Sequence, residues 1–173
     1  LKIGKDTLSL KNVGVIHNNI GNVYSDKSDL MDYDKALESF RDALEINRKI
    51  GNRKGSSIAY INIGEVLYNK DKIDEGIAYY DSALTLCKEI GFKYGTAYSW
   101  LFLAKSKYGT GNMMQAKAYI DSSLKLSINK NFAEIEKDCY EFLAEVYRSS
   151  GNYKNATVYF KKYDSLNKDL FSS

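Results

Sequence analysis

The sequence predicts an all-α protein, a solenoid of about four antiparallel helix pairs. Three observations predict this fold. Small residues recur with a spacing of 40 in the 173-residue chain, and each is followed four residues later by a bulky side chain. Glycines separate the predicted helices, and no proline interrupts any of them. A fixed period of this length is typical of repeat architectures, in which each unit packs mainly on its neighbours.

The second helix of each unit is predicted from this small-to-bulky spacing. The small residues are Ala36, Gly76, Ala116 and Ala156. The bulky residues four positions later are Phe40, Tyr80, Ile120 and Phe160. The residues seven positions after each small one are Ala43, Ala83, Ser123 and Tyr163. Because residues three and four apart share one face of a helix, these positions form a buried stripe.

The first helix of each unit is predicted from large–small pairs. These pairs are Ile20-Gly21, Ile63-Gly64, Leu103-Ala104 and Leu143-Ala144. A ring precedes each pair by three residues, at His17, Tyr60, Trp100 and Tyr140. Three residues after each small member come Tyr24, Leu67, Lys107 and Tyr147. The small member is expected where the two helix backbones of a unit approach closely.

Glycines mark the predicted turns. Gly51 and Gly91 are expected to end second helices in a left-handed conformation, and Gly111-Asn112 and Gly151-Asn152 separate the two helices of later units. Three extra residues between Tyr24 and Tyr33 predict a longer turn in the first unit.

The period divides the chain into four units. The predicted units are residues 14–56, 57–96, 97–136 and 137–173, and residues 1–13 are expected to be the tail of a preceding helix or repeat. Since the chain begins with Leu1 rather than methionine, it is interpreted as an excised or processed fragment.

Composition argues against two classes of partner. The net charge is +3, from 25 basic and 22 acidic residues of mixed order, which is not the footprint of a nucleic-acid-binding surface. The longest strongly apolar, uncharged run is the 11 residues from Tyr94 to Ala104, whereas a membrane span needs about 20. We therefore expect no nucleic-acid partner for this domain and no membrane span within it.

The sequence offers no convincing catalytic, metal or cofactor site. The single histidine, His17, occupies the position that other units fill with an aromatic ring, so we interpret it as a packing residue. Cys87 and Cys139 lie a whole unit apart, which predicts two free thiols and no metal-ligand spacing. No glycine-rich phosphate loop is present. We expect neither enzymatic activity nor a bound cofactor.

The motif order resembles the tetratricopeptide repeat (TPR) family. The fourth unit shows it best, with the residues Tyr140, Leu143-Ala144, Tyr147, Gly151-Asn152-Tyr153, Ala156 and Phe160. The resemblance covers residues 14–173, although the period is 40 rather than the family's usual value of about 34. It implies a right-handed solenoid that binds a protein or peptide on its concave face, with homodimerisation possible.

In this family the first helix of each unit lines the concave face. The resemblance therefore predicts a partner-binding set, which is Asn18, Asn19, Asn22, Asn62, Glu65, Tyr68, Tyr98, Phe102, Lys105, Tyr108, Phe142, Glu145 and Arg148. Asparagines can hydrogen-bond a peptide backbone, and exposed aromatic rings can form side-chain pockets. Phe102 and Phe142 have an alternative role, which is packing between units.

Some TPR proteins clamp C-terminal carboxylates with asparagines and cations. Asn22 and Asn62 fit the asparagine positions, but the cationic positions hold Asn18, Tyr98 and Phe102. Without the charge-assisted contacts, a dicarboxylate clamp is not expected.

Residues 159–171 resemble the last repeat helix of bacterial TPR sensor proteins. In those proteins a similar stretch precedes a membrane helix and a histidine kinase or a helix-turn-helix output domain. The resemblance implies a sensor or regulatory domain in a bacterial signal-transduction protein, on the periplasmic side. The alternatives are a free-standing cytoplasmic adaptor or scaffold, and an intracellular receptor for a signalling peptide.

Overall fold

The computed structural model describes residues 2–26 and 31–171. Within these residues the chain forms eight α-helices and no strand. In chain order the helices are α1 (Lys2–Ser25), α2 (Tyr33–Lys49), α3 (Arg53–Asn69), α4 (Ile73–Glu89), α5 (Lys93–Gly109), α6 (Met113–Lys130), α7 (Ala133–Ser149) and α8 (Tyr153–Phe171). They pack as consecutive antiparallel pairs, so the predicted all-α solenoid is confirmed.

The contacts between helices define the inner and outer sides of the array. Each first helix contacts the next first helix, so α1 touches α3, α3 touches α5 and α5 touches α7. Among the described residues no second helix contacts another second helix. The first helices are therefore closer together, which places them on the concave side and the second helices on the convex side.

The turns repeat every 20 residues. A left-handed backbone conformation occurs at Gly51, Gly91, Gly111 and Gly151, with φ between 69° and 79°. At Gly51 the amide of the next residue, Asn52, donates to the Asn47 carbonyl at 2.8 Å, while the Gly51 amide donates to Arg48. This pair of bonds is the Schellman motif, and it satisfies carbonyl groups that the helix end leaves without partners. The predicted glycine turns are confirmed.

Two turns at the same interval lack glycine. Asp71 and Asn131 have φ values of 59° and 55°, and they end α3 and α6 in the same way as the glycines do. Aspartate and asparagine tolerate this conformation better than other residues with a Cβ. The asparagine after a turn glycine has a second role, because Asn52, Asn112 and Asn152 each accept a backbone amide of the following helix.

The unit boundaries and the N-terminal helix differ from the prediction. The helices α3, α5 and α7 begin at residues 53, 93 and 133, so boundaries at 57, 97 and 137 fall inside them. Residues 2–13 are the first part of α1 rather than the tail of a separate preceding helix, since no turn interrupts α1 before Ser25. Residues 27–30, in the predicted longer turn, lie outside the described residues.

The predicted repeat positions fill the interior of the first three pairs. Phe40 and Tyr80 are fully buried, and each ring lies against the glycine of its own first helix, Gly21 and Gly64. In the fourth pair Phe160 is 59% exposed, because no described helix covers its side of α8. No helix in the described ranges has both the length and the hydropathy of a membrane span.

Candidate functional site

The concave side chains of α1, α3, α5 and α7 form the candidate site. All thirteen predicted partner-binding residues lie on these four helices. Asn19, Asn22, Glu145 and Arg148 are exposed, whereas Asn18, Asn62, Glu65, Tyr68, Tyr98, Lys105 and Tyr108 are half-buried.

Asparagine side chains join α1 to α3 at one end of this face. The Asn62 amide donates to Asn18 Oδ1 at 2.9 Å and more weakly to Asn22 Oδ1 at 3.5 Å. These bonds hold the three amides in place while leaving each with further donor or acceptor capacity. A hollow of about 40 Å³ beside them is lined by Asn22, Asn62, Glu65 and neighbouring residues. This end of the face can therefore hydrogen-bond a polar backbone.

Charged groups from three helices meet in the middle of the face. Burial raises the pKa of Glu65, while the positive charge of Lys105 on α5 opposes that shift. Burial also raises the pKa of Asp138 on α7, again against the effect of Lys105. The negative charge of Asp138 adds to the upward shift of the Glu65 pKa. One lysine thus faces two half-buried carboxyl groups.

A row of aromatic rings runs along α5 beside these charges. Tyr94 and Tyr98 stack with ring centroids 6.2 Å apart, and Tyr98 and Phe102 are 4.9 Å apart. The Tyr94 hydroxyl donates to Glu134 on α7 at 3.2 Å. Burial raises the pKa of the Tyr98 phenol well above its usual value, so Tyr98 presents a neutral hydroxyl.

Phe102 and Phe142 are packing residues rather than an exposed binding surface. Both are only 7% exposed. Phe102 stacks on the Tyr80 ring at 5.2 Å, and Phe142 meets the Tyr108 ring edge to face at 5.6 Å. Of the two roles that the sequence left open for Phe102 and Phe142, the structure shows packing between neighbouring units.

The Tyr80 hydroxyl is a buried polar group near the groove residue Glu65, and sequence reasoning missed it. Tyr80 belongs to α4, and its ring lies against Gly64 of α3. Its hydroxyl oxygen is buried and has no hydrogen-bond partner among the described residues. Burial, followed by the charge of Glu65, raises the Tyr80 pKa well above its usual value. The repeat pattern marks Tyr80 only as a bulky core residue, and nothing in it distinguishes the hydroxyl.

Sequence reasoning also missed most of the acidic stripe on α7. Its members are Glu134, Asp138, Glu141 and Glu145, of which only Glu145 was predicted. Their spacings of four, three and four place them on one helix face. The spacing was available as a signal in the sequence. Glu134, Glu141 and Glu145 are exposed and Asp138 is half-buried, so the α7 end of the concave face is rich in carboxylates.

The histidine and the two cysteines that were considered for catalysis lie in the packing between helices. His17 Nδ1 lies 3.4 Å from Asp42 Oδ2, between the two helices of its own pair. Cys87 and Cys139 are both buried and both free. Burial raises the pKa of the Cys139 thiol to about 12, which disfavours the reactive thiolate. Within residues 2–26 and 31–171 no three potential ligands are grouped to hold a metal ion.

Comparison with known proteins agrees with this architecture. Residues 12–89 match one family model described as tetratricopeptide repeat, and residues 138–170 match another with the same description. No curated protein sequence is significantly similar to the chain.

Solved structures with the same architecture share little sequence with the chain. The TPR domain of Arabidopsis FLU has a TM-score of 0.62 at 19% identity, over 67% of this chain and 95% of that one. BtubC (BKLC) from P. vanneervenii has a TM-score of 0.71 at 17% identity, over 91% of this chain and 64% of that one. Aspartyl phosphate phosphatase F from Bacillus subtilis has a TM-score of 0.68 at 15% identity, over 92% of this chain and 50% of that one.

Proposed function

We propose that this chain, which is a tetratricopeptide repeat domain and hence a protein-interaction module, binds an extended segment of a partner protein or peptide on its concave face. In this proposal the domain catalyses no reaction. It serves as the sensor or regulatory part of a bacterial signal-transduction protein, either a histidine kinase or a TPR-linked transcriptional regulator.

The observation that carries the binding proposal is the asparagine network between α1 and α3. Asn18, Asn22 and Asn62 are held by hydrogen bonds to one another and still face the solvent side of the groove. An amide side chain can donate to a carbonyl and accept from an amide, so it pairs with a peptide backbone of any sequence. Because the network is already ordered, less side-chain entropy is lost when a partner binds.

The uneven charge along the groove favours one orientation of the proposed partner segment. The α1 end of the groove is neutral and amide-rich, whereas the α7 end carries the stripe Glu134, Asp138, Glu141 and Glu145. A partner segment with basic side chains toward α7 would complement these carboxylates, and the attraction would weaken with salt.

Support for the signalling role comes from the last helix. α8 extends to Phe171 and contains the stretch that resembles bacterial TPR sensor proteins. In the proposed arrangement, groove occupancy acts on α7, which packs against α8, and α8 connects to the output. The proposed location is periplasmic, as in the sensors that the stretch resembles.

Site-specific photo-crosslinking tests the binding proposal. p-Benzoylphenylalanine placed at Tyr68, on the concave side of α3, is expected to give defined adducts in cells of the source organism. The same group placed at Thr85, exposed on α4, is the matched control on the convex side. Combining Asn22→Ala with Asn62→Ala should reduce the Tyr68 adducts at least about tenfold if the lost hydrogen bonds each contribute about 1 kcal/mol.

Two results of the crosslinking experiment would contradict the proposal. Adducts of equal yield at positions 68 and 85, or adducts that persist after both asparagine changes, would overturn the groove assignment. Tyr98 is not a suitable target for this test, although it lies in the groove, because its ring also packs on Tyr94 and Phe102. Truncating it would remove packing together with any partner contact.

A further inference from the structure

A cavity of about 240 Å³ lies between the third and fourth helix pairs. Its walls come from α5, α6, α7 and α8. Four aromatic rings contribute to the lining, and they are Tyr108, Phe142, Tyr147 and Tyr159. Most of the remaining wall is aliphatic, including Ile120 and Leu143. The cavity shares Tyr108 and Phe142 with the predicted partner-binding set, but it includes neither the asparagine network nor the acidic stripe on which the proposed function rests.

The repeat explains why space remains at this junction. In the first two pairs, the bulky position of the second helix holds the fully buried rings of Phe40 and Tyr80. The equivalent residue of the third pair is Ile120, which has no ring. Three residues earlier the first two pairs have buried Leu37 and Ile77, while the third pair has Lys117, whose side chain is exposed.

The first helix of the third pair also differs at the position that faces this ring. A Cβ on Gly21 would lie 2.5 Å from the Phe40 ring, and a Cβ on Gly64 would lie 2.7 Å from the Tyr80 ring. Glycine is therefore required where a ring fills the pair. The third pair has Ala104 at this position, together with Ile120. The third pair therefore has no ring at the position that Phe40 and Tyr80 occupy in the first two pairs.

We propose that this cavity is a binding site for a small neutral molecule that contains an aromatic ring. The equivalent positions of the first two pairs are filled by such a ring, supplied by the chain itself as Phe40 or Tyr80. An apolar cavity of about 150 Å³ is enough to bind benzene in another protein, so 240 Å³ accepts a substituted ring.

The wall provides the contacts that an aromatic ligand favours. Tyr147 and Tyr159 are parallel, with centroids 5.5 Å apart and planes 3° apart, while Phe142 and Tyr108 are perpendicular. The four lining rings therefore differ in orientation, two of them parallel and two perpendicular to each other. Stacked and edge-to-face ring pairs add about 0.5–1.5 kcal/mol beyond the burial of their area. Aromatic ligands should thus bind more tightly than saturated ligands of the same shape.

The mouth of the cavity is polar. Lys117 and Asp121 form an ion pair at 3.0 Å, and both side chains are exposed at the edge of the lining. A hydroxyl or similar substituent on the ring can reach this pair while the ring itself lies in the apolar interior. Phenol has this combination of groups, and cyclohexanol is its saturated counterpart with the same substituent.

Titration of the full chain with phenol and with cyclohexanol tests the proposal. Amide chemical shifts of the ¹⁵N-labelled protein are expected to move saturably with phenol, and the largest shifts should fall in residues 113–121 and 142–147. Cyclohexanol should bind about two- to tenfold more weakly, the factor that ring–ring contacts provide.

Two variants that fill the cavity by different routes provide the decisive comparison. Lys117→Leu restores the aliphatic side chain found at Leu37 and Ile77 and closes the mouth from the exposed side. The double change Ala104→Gly and Ile120→Phe restores the glycine–ring pair of the first two units. Both are expected to weaken phenol binding at least about tenfold, equivalent to about 1.4 kcal/mol. Ile120→Val keeps the space open and should retain the wild-type affinity within about twofold.

Three results would overturn the proposal. They are the absence of saturable phenol shifts in the wild-type chain, equal affinity for phenol and cyclohexanol, and undiminished binding in the Lys117→Leu chain. Since Lys117 is exposed and outside the core, its replacement does not depend on repacking. That variant keeps the test decisive even if the double variant folds poorly.

Discussion

The Tyr80 ring lies directly against the Cα atom of Gly64. A Cβ at position 64 would come within 2.7 Å of Tyr80 Cε1, closer than real Cβ contacts allow. The ring belongs to α4 and the glycine to α3, so this contact sets how closely the two helices of one pair approach. Phe40 and Gly21 have the same relationship in the first pair.

Gly64→Ala should therefore destabilise the protein. Alanine is the better helix former by about 1 kcal/mol, but the added methyl group must displace a fully buried ring. Overpacking of this kind costs about 1–3 kcal/mol, so we expect a net loss of up to about 2 kcal/mol. Urea denaturation followed by circular dichroism measures it.

Gly109→Ala is the matched control for that experiment. A Cβ at Gly109 would meet only Ile73 Cδ1, at an ordinary distance of 3.7 Å, and Gly109 also lies in a helix. This change should leave stability unchanged or raise it by up to about 1 kcal/mol. If Gly64→Ala stabilised the protein as much as Gly109→Ala does, the close contact would have no energetic role.

Asp71 offers an opposite prediction at the end of α3. Its φ of 59° places a residue with a Cβ where four equivalent turns use glycine. Asp71→Gly should raise the free energy of unfolding by up to about 1 kcal/mol, because it removes the strain of a Cβ in the left-handed region. Asp71→Ala removes the same carboxylate but keeps the Cβ, and it should not be stabilising. Equal effects of the two changes would attribute the result to charge instead.

The architecture could be predicted because it depends on periodic features of the sequence. Packing of the two helices within a pair needs a small residue opposite a bulky one at a constant spacing, and Gly21, Gly64, Phe40 and Tyr80 show that spacing directly. The turn glycines allowed the ends of the helices to be predicted as well. The turn at Asp71 was harder to predict, since its left-handed conformation follows from its place in the array rather than from its residue type.

The candidate site was less predictable, because burial depends on neighbours in other units. Phe102 and Tyr98 lie four residues apart on the same helix, yet Phe102 is enclosed by Tyr80 and Leu103 while Tyr98 stays half-buried in the groove. The spacing of residues along the helix alone does not predict which of the two rings is buried. The coupling between Glu65 on α3 and Asp138 on α7 is likewise a product of the solenoid's curvature, since 73 residues separate them in the chain.

Glu65 predicts a specific pH dependence. Burial raises its pKa above the ordinary value of 4.5, so the folded protein binds this proton more tightly than the unfolded chain does. Stability therefore falls as the pH rises from about 4.5 through the raised pKa of the folded state. Asp138 acts in the same direction from its own ordinary value of 3.8.

Glu65→Gln should remove part of this dependence. The variant should gain stability relative to the wild type as the pH rises from 4.5 to 7.5, and urea midpoints measured across that range test it. Glu38→Gln, an exposed change on α2, controls for the loss of one negative charge. Parallel pH profiles for the wild type and Glu65→Gln would contradict the prediction.

Phe40 and Phe160 occupy equivalent positions in the first and last units, but their surroundings differ. Phe40 is 1% exposed, among Ile63, Val66 and Leu67 of the following unit, and Phe160 is 59% exposed. Phe40→Ala should lower the free energy of unfolding by about 3–5 kcal/mol, as truncation of a buried ring does. Phe160→Ala should change it by less than about 1 kcal/mol, because most of its surface already contacts solvent. Urea denaturation of the two variants at equal protein concentration compares them. A loss at Phe160 comparable to that at Phe40 would show that the exposed face of α8 is covered in solution.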